Sequence, residues 1–131
     1  MLGRMASYRI SHVSRLLGVS DDTIRRWLDS GRLVAVPGTS PIEIDGQSLA
    51  DYVKDANPHE ADGHVSTRNL FEGLVIDVIK DKVVSQVVLQ CGRYRAVSLI
   101  STEAVEELDL KPGVVASAQI KATNVSIVVK G

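Results

Sequence analysis

The stretch Val65-Ser66-Thr67-Arg68-Asn69-Leu70-Phe71-Glu72-Gly73 decides how this chain reads. Ahead of it lies a polar, acidic segment broken by Pro58 and Gly63, and behind it aliphatic and β-branched residues dominate. A domain boundary is expected here, with residues 56–64 as a linker. The stretch also sets a hydroxyl, a guanidinium and a side-chain amide side by side, donors that suit a fully ionised oxyanion. A second donor group, Lys121-Ala122-Thr123-Asn124, stands near the end of the same half. The two groups are expected to meet in space.

From Leu70 the pattern is β. Strands are expected over 71–80, 83–91, 94–100, 114–122 and 125–130, with tight turns at Asp81-Lys82, Gly92-Arg93 and Lys111-Pro112-Gly113. One short helix, capped by Ser101 or Thr102 and continuing Glu103-Ala104-Val105-Glu106-Glu107-Leu108, separates the third strand from the fourth. Five strands and one helix point to a small OB-like barrel. Several strands are apolar on both faces: Val75 and Ile79 are expected opposite Leu74, Ile76 and Val78, and Val87 and Leu89 opposite Val84 and Val88. A small barrel buries only one face. The other predicts a homo-oligomer, a dimer or higher.

The first half is built differently. Tyr8-Arg9-Ile10 reads as an extended lead-in, and Ser11 is expected to cap a helix that Gly18 stops. Ser20 caps a second helix, with Asp21 and Asp22 in its first turn, where the helix dipole favours negative charge. Ile24, Trp27 and Leu28 fall at i, i+3 and i+4 and form its core stripe. Residues 32–36 and 42–44 read as a β-hairpin wing around Pro37-Gly38-Thr39-Ser40-Pro41, and Asp45-Gly46 opens a third helix with Leu49, Tyr52 and Val53 on one face. Two short helices about a glycine turn, the second with a basic outer face, are the layout of helix-turn-helix DNA binding.

The net charge of −1 conceals a local pattern. Residues 1–63 hold seven Lys or Arg against nine Asp or Glu, yet Arg4, Arg9, Arg15, Arg25, Arg26 and Arg32 outnumber the acids within positions 4–32. The basic charge is arginine and confined to the segment expected to read DNA. With 44% hydrophobic and 24% charged residues the chain is globular, and its apolar runs fall far short of the roughly 20 residues of a membrane span. The opening Met1-Leu2-Gly3-Arg4-Met5 lacks the apolar core of a signal peptide, and the single Cys91, expected to be a buried strand residue, suits a reducing cytoplasm.

Other chemistries find little support. His59, Glu60, Asp62 and His64 read as a solvated linker rather than a metal set, so no direct cation ligands are expected. No nucleophile, base or carboxylate pair stands at a recognisable spacing, and no enzyme is expected. Phe71 and Tyr94 are too few aromatics for a single-strand stacking platform.

Residues 7–54 resemble the winged helix-turn-helix of MerR and excisionase-type domains, on Ile10, Leu16-Leu17-Gly18-Val19-Ser20, Thr23-Ile24-Arg25-Arg26-Trp27 and Gly31-Arg32-Leu33. The resemblance implies double-stranded DNA as partner, with Thr23, Arg25 and Arg26 at phosphates and base edges, Ser11 and Arg15 near the backbone, and Ser20 and Arg32 alongside. The wing departs from that class, having no basic residue between Val34 and Ile44. With so few arginines a single copy should bind DNA weakly, which again favours an assembly.

Residues 65–131 resemble the Mop, or TOBE, domain of molbindins and molybdate-responsive regulators. The stretches that carry it are 66–73, Ile100-Ser101-Thr102-Glu103, Leu110-Lys111-Pro112-Gly113 and Ile120-Lys121-Ala122-Thr123-Asn124-Val125. It implies that molybdate or tungstate binds between subunits, on Ser66, Thr67, Arg68, Asn69, Ser101, Lys121, Ala122 and Thr123. The expected architecture is thus α+β in two small domains: a winged helix-turn-helix over 1–55 and a five-stranded OB-like barrel with one short helix over 65–131. The expected function is a cytoplasmic transcriptional regulator that senses the oxyanion. The alternatives are a molybdate storage or buffer protein, and a DNA-binding protein that uses a ligand-free Mop fold to oligomerise.

Overall fold

A computed structural model describes residues 6–56 and 68–130. The chain divides into two compact units, 1–62 and 63–131, and is α+β. No described helix is long and apolar enough to cross a membrane.

In the first unit, strand β1 (Ser7–Arg9) runs directly into helix α1 (Ile10–Leu17). Ser11 does not cap this helix: Arg9 holds the N-cap position and no side chain caps it. Pairing of Arg9 with Glu43 keeps the strand extended up to Ile10, and Ile10 is already in the core. The helix must therefore begin one residue before Ser11. Gly18, at φ 68°, ends it in the left-handed region that glycine adopts without strain. Helix α2 (Asp21–Asp29) begins as expected, with Ser20 Oγ accepting from the Thr23 amide at 3.1 Å.

The expected wing is reduced. Ala35 makes a single bridge to Ile44, supported by Val36 N–H to Glu43 O and Asp45 N–H to Val34 O, both 2.8 Å. Strand β2 (Glu43–Asp45) instead finds its ladder with β1 on the other side. Pro37 and Pro41 remove donors from the loop, and Thr39 Oγ1 closes it by donating to Val36 O and accepting from the Glu43 amide. Helix α3 (Gly46–Ala56) follows, its Ser48 amide capped by the Asp45 carboxylate. Ile10, Val13, Ile24, Leu33, Ile44 and Leu49 form one core, on which Trp27, Leu28, Tyr52 and Val53 close.

The second unit is a curled antiparallel sheet in the order β5-β4-β3-β6, with β3 Arg68–Lys80, β4 Val84–Cys91, β5 Tyr94–Ser101 and β6 Val115–Lys121. Helix α4 (Thr102–Glu107) follows β5, capped by Ser101 Oγ on the Ala104 amide. Its Val105 joins Val75, Val87 and Leu89 in the core, and Thr102 is tied to Ser85 at 2.7 Å beneath it. The strand expected over 125–130 pairs with nothing among the described residues. A single 3-10 turn (Ala122–Asn124) ends β6, and Ile127, Val128 and Val129 lie 84–88% exposed.

Strand β3 explains a second difference. Its register on β4 shifts between Val75 and Asp77, a bulge that reverses which face each later residue takes. Val75 is fully buried whereas Ile79 is 55% exposed, and Val78 now packs on the core. Val75 and Ile79 therefore do not share a face, contrary to simple alternation. Close to the bulge, β4 crosses β3 tightly: a Cβ on Gly73 would lie 2.7 Å from both Cys91 Sγ and Gln90 O. Cys91 itself is only half-buried, at the end of β4.

Gly73→Ala is thus expected to push β3 and β4 apart and cost about 1–3 kcal/mol. Urea unfolding of the second unit measures it, and an unchanged midpoint would contradict the close approach.

Candidate functional site

The sequence placed two donor groups at opposite ends of the second half, and the ladder brings two of their members together. Strand β3 begins at Arg68, earlier than alternation from Phe71 predicts, and pairs antiparallel with β6 so that Arg68 lies directly opposite Lys121 and Asn69 opposite Ile120. Asn69 Nδ2 donates to Ile120 O at 3.0 Å and fastens this end of the ladder. Ala122 and Thr123 continue straight on from Lys121 in the 3-10 turn, both exposed. Ser66 and Thr67 lie outside the described residues.

A guanidinium and an ammonium facing each other across a ladder are unfavourable unless something negative joins them. Neither Arg68 nor Lys121 forms an ion pair with Glu72 or Glu103. Among the described residues the one salt bridge is Lys111 to Asp109 at 3.6 Å, and no cluster of metal-ligating side chains occurs. Two cations and a hydroxyl-bearing turn at one exposed end of a sheet can bind a small dianion by charge-assisted hydrogen bonds, while the Asn69 amide is committed to the Ile120 carbonyl.

Ser101 is not part of this group within one chain. It pairs with Val84, and its neighbour Thr102 bonds the Asp81 carbonyl, so it lies beyond the Lys80 end of β3. Arg68 is at the opposite end, roughly 40 Å away along the strand at about 3.3 Å per residue. The hydroxyl of Ser101 can join the others only from a second copy.

On α2, Thr23 and Arg26 lie one turn apart on neighbouring faces, whereas Arg25 falls on the other flank of the helix. Arg26 Nη2 donates to Thr23 Oγ1 at 3.1 Å, and Thr23 Oγ1 lies 2.9 Å from Ser20 Oγ, so the cap and the arginine form one short chain of hydrogen bonds. Arg25 has no hydrogen-bond partner among the described residues and extends into solvent, as do Ser11 and Arg15 on α1. Arg32 is drawn elsewhere: its guanidinium sits 5.9 Å from the Tyr52 ring centroid, with Nη1 3.4 Å from the hydroxyl.

A family model described as the TOBE domain matches residues 65–127, and one described as the MerR HTH family regulatory protein matches residues 8–40. Molybdenum-pterin-binding proteins 1 and 2 of Clostridium pasteurianum are each 39% identical to this chain over 64 residues, 48% of this chain and 94% of theirs. The chain belongs to the molbindin-type TOBE family. Ahead of its TOBE domain it carries a MerR-type helix-turn-helix. Two solved structures resemble the TOBE half: an apo form of MopII from C. pasteurianum (37% identity, TM-score 0.47, covering 50% of this chain and 100% of that one), and a molybdate-binding protein from Sporomusa ovata (30%, TM-score 0.48, 50% and 98%).

The TOBE half yields a direct test of the paired cations. Lys121→Gln removes the repulsion opposite Arg68, so without any oxyanion its thermal midpoint should equal or exceed that of the unaltered chain. Thermal unfolding in a low-salt, non-coordinating buffer measures this, and a clear loss of stability would show that Lys121 already has a partner.

Proposed function

We propose that this protein is a DNA-binding transcriptional regulator that senses molybdate or tungstate at TOBE-domain subunit interfaces. The single observation that carries the reading is Arg68 facing Lys121 with no salt bridge to either among the described residues. An oxyanion at this end of the sheet would offset both charges at once. Ser66, Thr67, Ala122 and Thr123 supply the further donors, and Ser101 completes the site from a second copy. The relatives' names, which mention molybdenum-pterin or molybdate, support the choice of ligand.

A donor-only site discriminates among anions by proton count. Molybdate and tungstate are dianions at pH 7 with no proton to donate, whereas phosphate is partly protonated there and its hydroxyl would find no acceptor. Leaving that group unpaired costs about 1–3 kcal/mol. Sulfate has the right charge and is distinguished by its smaller size.

Thr23, Arg25 and Arg26 read DNA on α2, with Ser11, Arg15 and Ser20 near the backbone and Arg32 as a weaker contributor because Tyr52 already holds it. The anion acts by changing how assembled copies present their helix-turn-helix units. Such coupling amounts to about 1–3 kcal/mol and is reciprocal. The protein works in a reducing cytoplasm.

Calorimetric titration with molybdate, with sulfate and phosphate as controls, tests the site. Micromolar or tighter binding of molybdate, lost in Arg68→Ala, is the expected result, and no heat for any anion would refute the sensor. Selection of a duplex from a random pool, followed by a second titration on the complex, then tests regulation. Molybdate affinity should shift by the factor by which molybdate shifts DNA affinity; tight anion binding with no sequence preference for DNA would favour a storage protein instead.

A further inference from the structure

Strands β4 and β5 are joined by a short basic turn. Cys91 pairs with Tyr94, which leaves Gly92-Arg93 as a two-residue connection, and Gly92 at φ 60° supplies the left-handed backbone that so tight a turn needs. Arg93, Tyr94 and Arg95 are all exposed, yet their side chains are held. Arg95 Nε donates to Gln90 Oε1 at 3.2 Å and Gln90 Nε2 donates to Gly92 O at 2.9 Å, so one glutamine braces both the guanidinium and the turn. The Arg93 guanidinium lies 5.2 Å from the centroid of the Tyr94 ring, a cation–π contact, while Tyr94 stays 60% exposed. Neither arginine forms a salt bridge among the described residues.

The charges of the second unit are sorted by end. Glu103, Glu106, Glu107 and Asp109 lie on or just after α4, beyond the Lys80 end of β3. The hairpin sits toward the other end, where Glu72 is the one acid among the described residues. It also stands apart from the paired cations. Arg95, level in register with Gln90 and Leu74, is six residues along β3 from Arg68, about 20 Å at about 3.3 Å per residue. Successive strand residues face opposite ways, so Arg95 lies on one face of the hairpin and Tyr94, with Arg93 over its ring, on the other. A small anion cannot meet both guanidiniums at once. A polymer with closely repeated charges can.

We propose that the β4–β5 hairpin is a second contact of this protein with duplex DNA, Arg93 and Arg95 each neutralising a backbone phosphate and the Tyr94 hydroxyl donating to a phosphate or sugar oxygen. The inference rests on the DNA-binding reading and adds to it a contact outside the helix-turn-helix. It meets a shortage in the first unit: no basic residue stands between Val34 and Ile44, and Arg32 is drawn to Tyr52. Arginine suits the task, since its planar fork matches phosphate oxygens and is weakly hydrated. Phosphate contacts position a protein on DNA without reading sequence, so the hairpin contributes affinity and leaves sequence choice to α2. Single-stranded nucleic acid fits less well, because the hairpin's one aromatic ring is already engaged by Arg93 and offers no run of stacking faces.

Anisotropy titration of a short fluorescent duplex of mixed sequence with the full chain, repeated over a range of salt concentrations, tests the contact. The logarithm of the binding constant falls against the logarithm of salt by about 0.9 for each phosphate neutralised. Arg93→Gln with Arg95→Gln should flatten that slope by about 1.8 for each hairpin engaged and weaken binding to every duplex alike. Arg93→Lys with Arg95→Lys keeps the charge and should retain the slope. An unchanged slope in the glutamine variant, with the unaltered chain binding, would overturn the hairpin contact and leave the helix-turn-helix reading standing. No binding by the unaltered chain at any salt concentration would overturn that reading and this contact with it. Light scattering on the glutamine variant should show an oligomer of unchanged size; a smaller one would assign the two arginines to a contact between copies and refute the proposal.

Discussion

Two cations held opposite each other across one antiparallel ladder are the feature on which the function proposed for the second unit rests. The β3–β6 register puts Arg68 against Lys121, and Asn69 ties the ends of the two strands through the Ile120 carbonyl. The backbone register thus brings two positively charged residues to one end of the sheet.

The rest of the unit is arranged around an unfinished barrel. Bulge and close crossing at Gly73 curl the sheet enough to form a concave apolar wall, and α4 covers one end of it through Val105. Its outer face keeps Val97 and Leu99 exposed at 62% and 69%, and the sheet has four strands among the described residues. Both surfaces suit self-association, and in the proposed site Ser101 would come from a second copy. On the proposed reading, an anion at that boundary alters the assembly and, with it, the arrangement of the helix-turn-helix units.

Local signals were legible where the chemistry is local. The Ser20 cap, the Gly18 stop, the core stripe of Ile24 with Trp27 and Leu28, and the Ser101 cap follow from a few neighbouring residues each, and the structure has them all. The α+β class was equally plain. What alternation could not give was phase after a bulge: one extra residue near Ile76 turns Ile79 outward, and no residue type marks that place except the nearby glycine. The wing misled because Ile42-Glu43-Ile44 has strand character but two possible partners, and the lead-in strand took most of the pairing. Residues 125–130 have strand composition without a ladder partner among the described residues, which a single sequence cannot reveal. Of the expected anion site, the meeting of Arg68 with Lys121 was foreseen from donor chemistry, while the separation of Ser101 depends on strand order and only the fold discloses it.

The most direct measurement is anomalous diffraction at the molybdenum absorption edge, from crystals of the full chain grown with molybdate. The account predicts a peak within hydrogen-bond reach of the Arg68 and Lys121 side chains, with Ser101 of the partner subunit on its far side. A peak away from both cations, or well-ordered Arg68 and Lys121 with no peak at all, would contradict it.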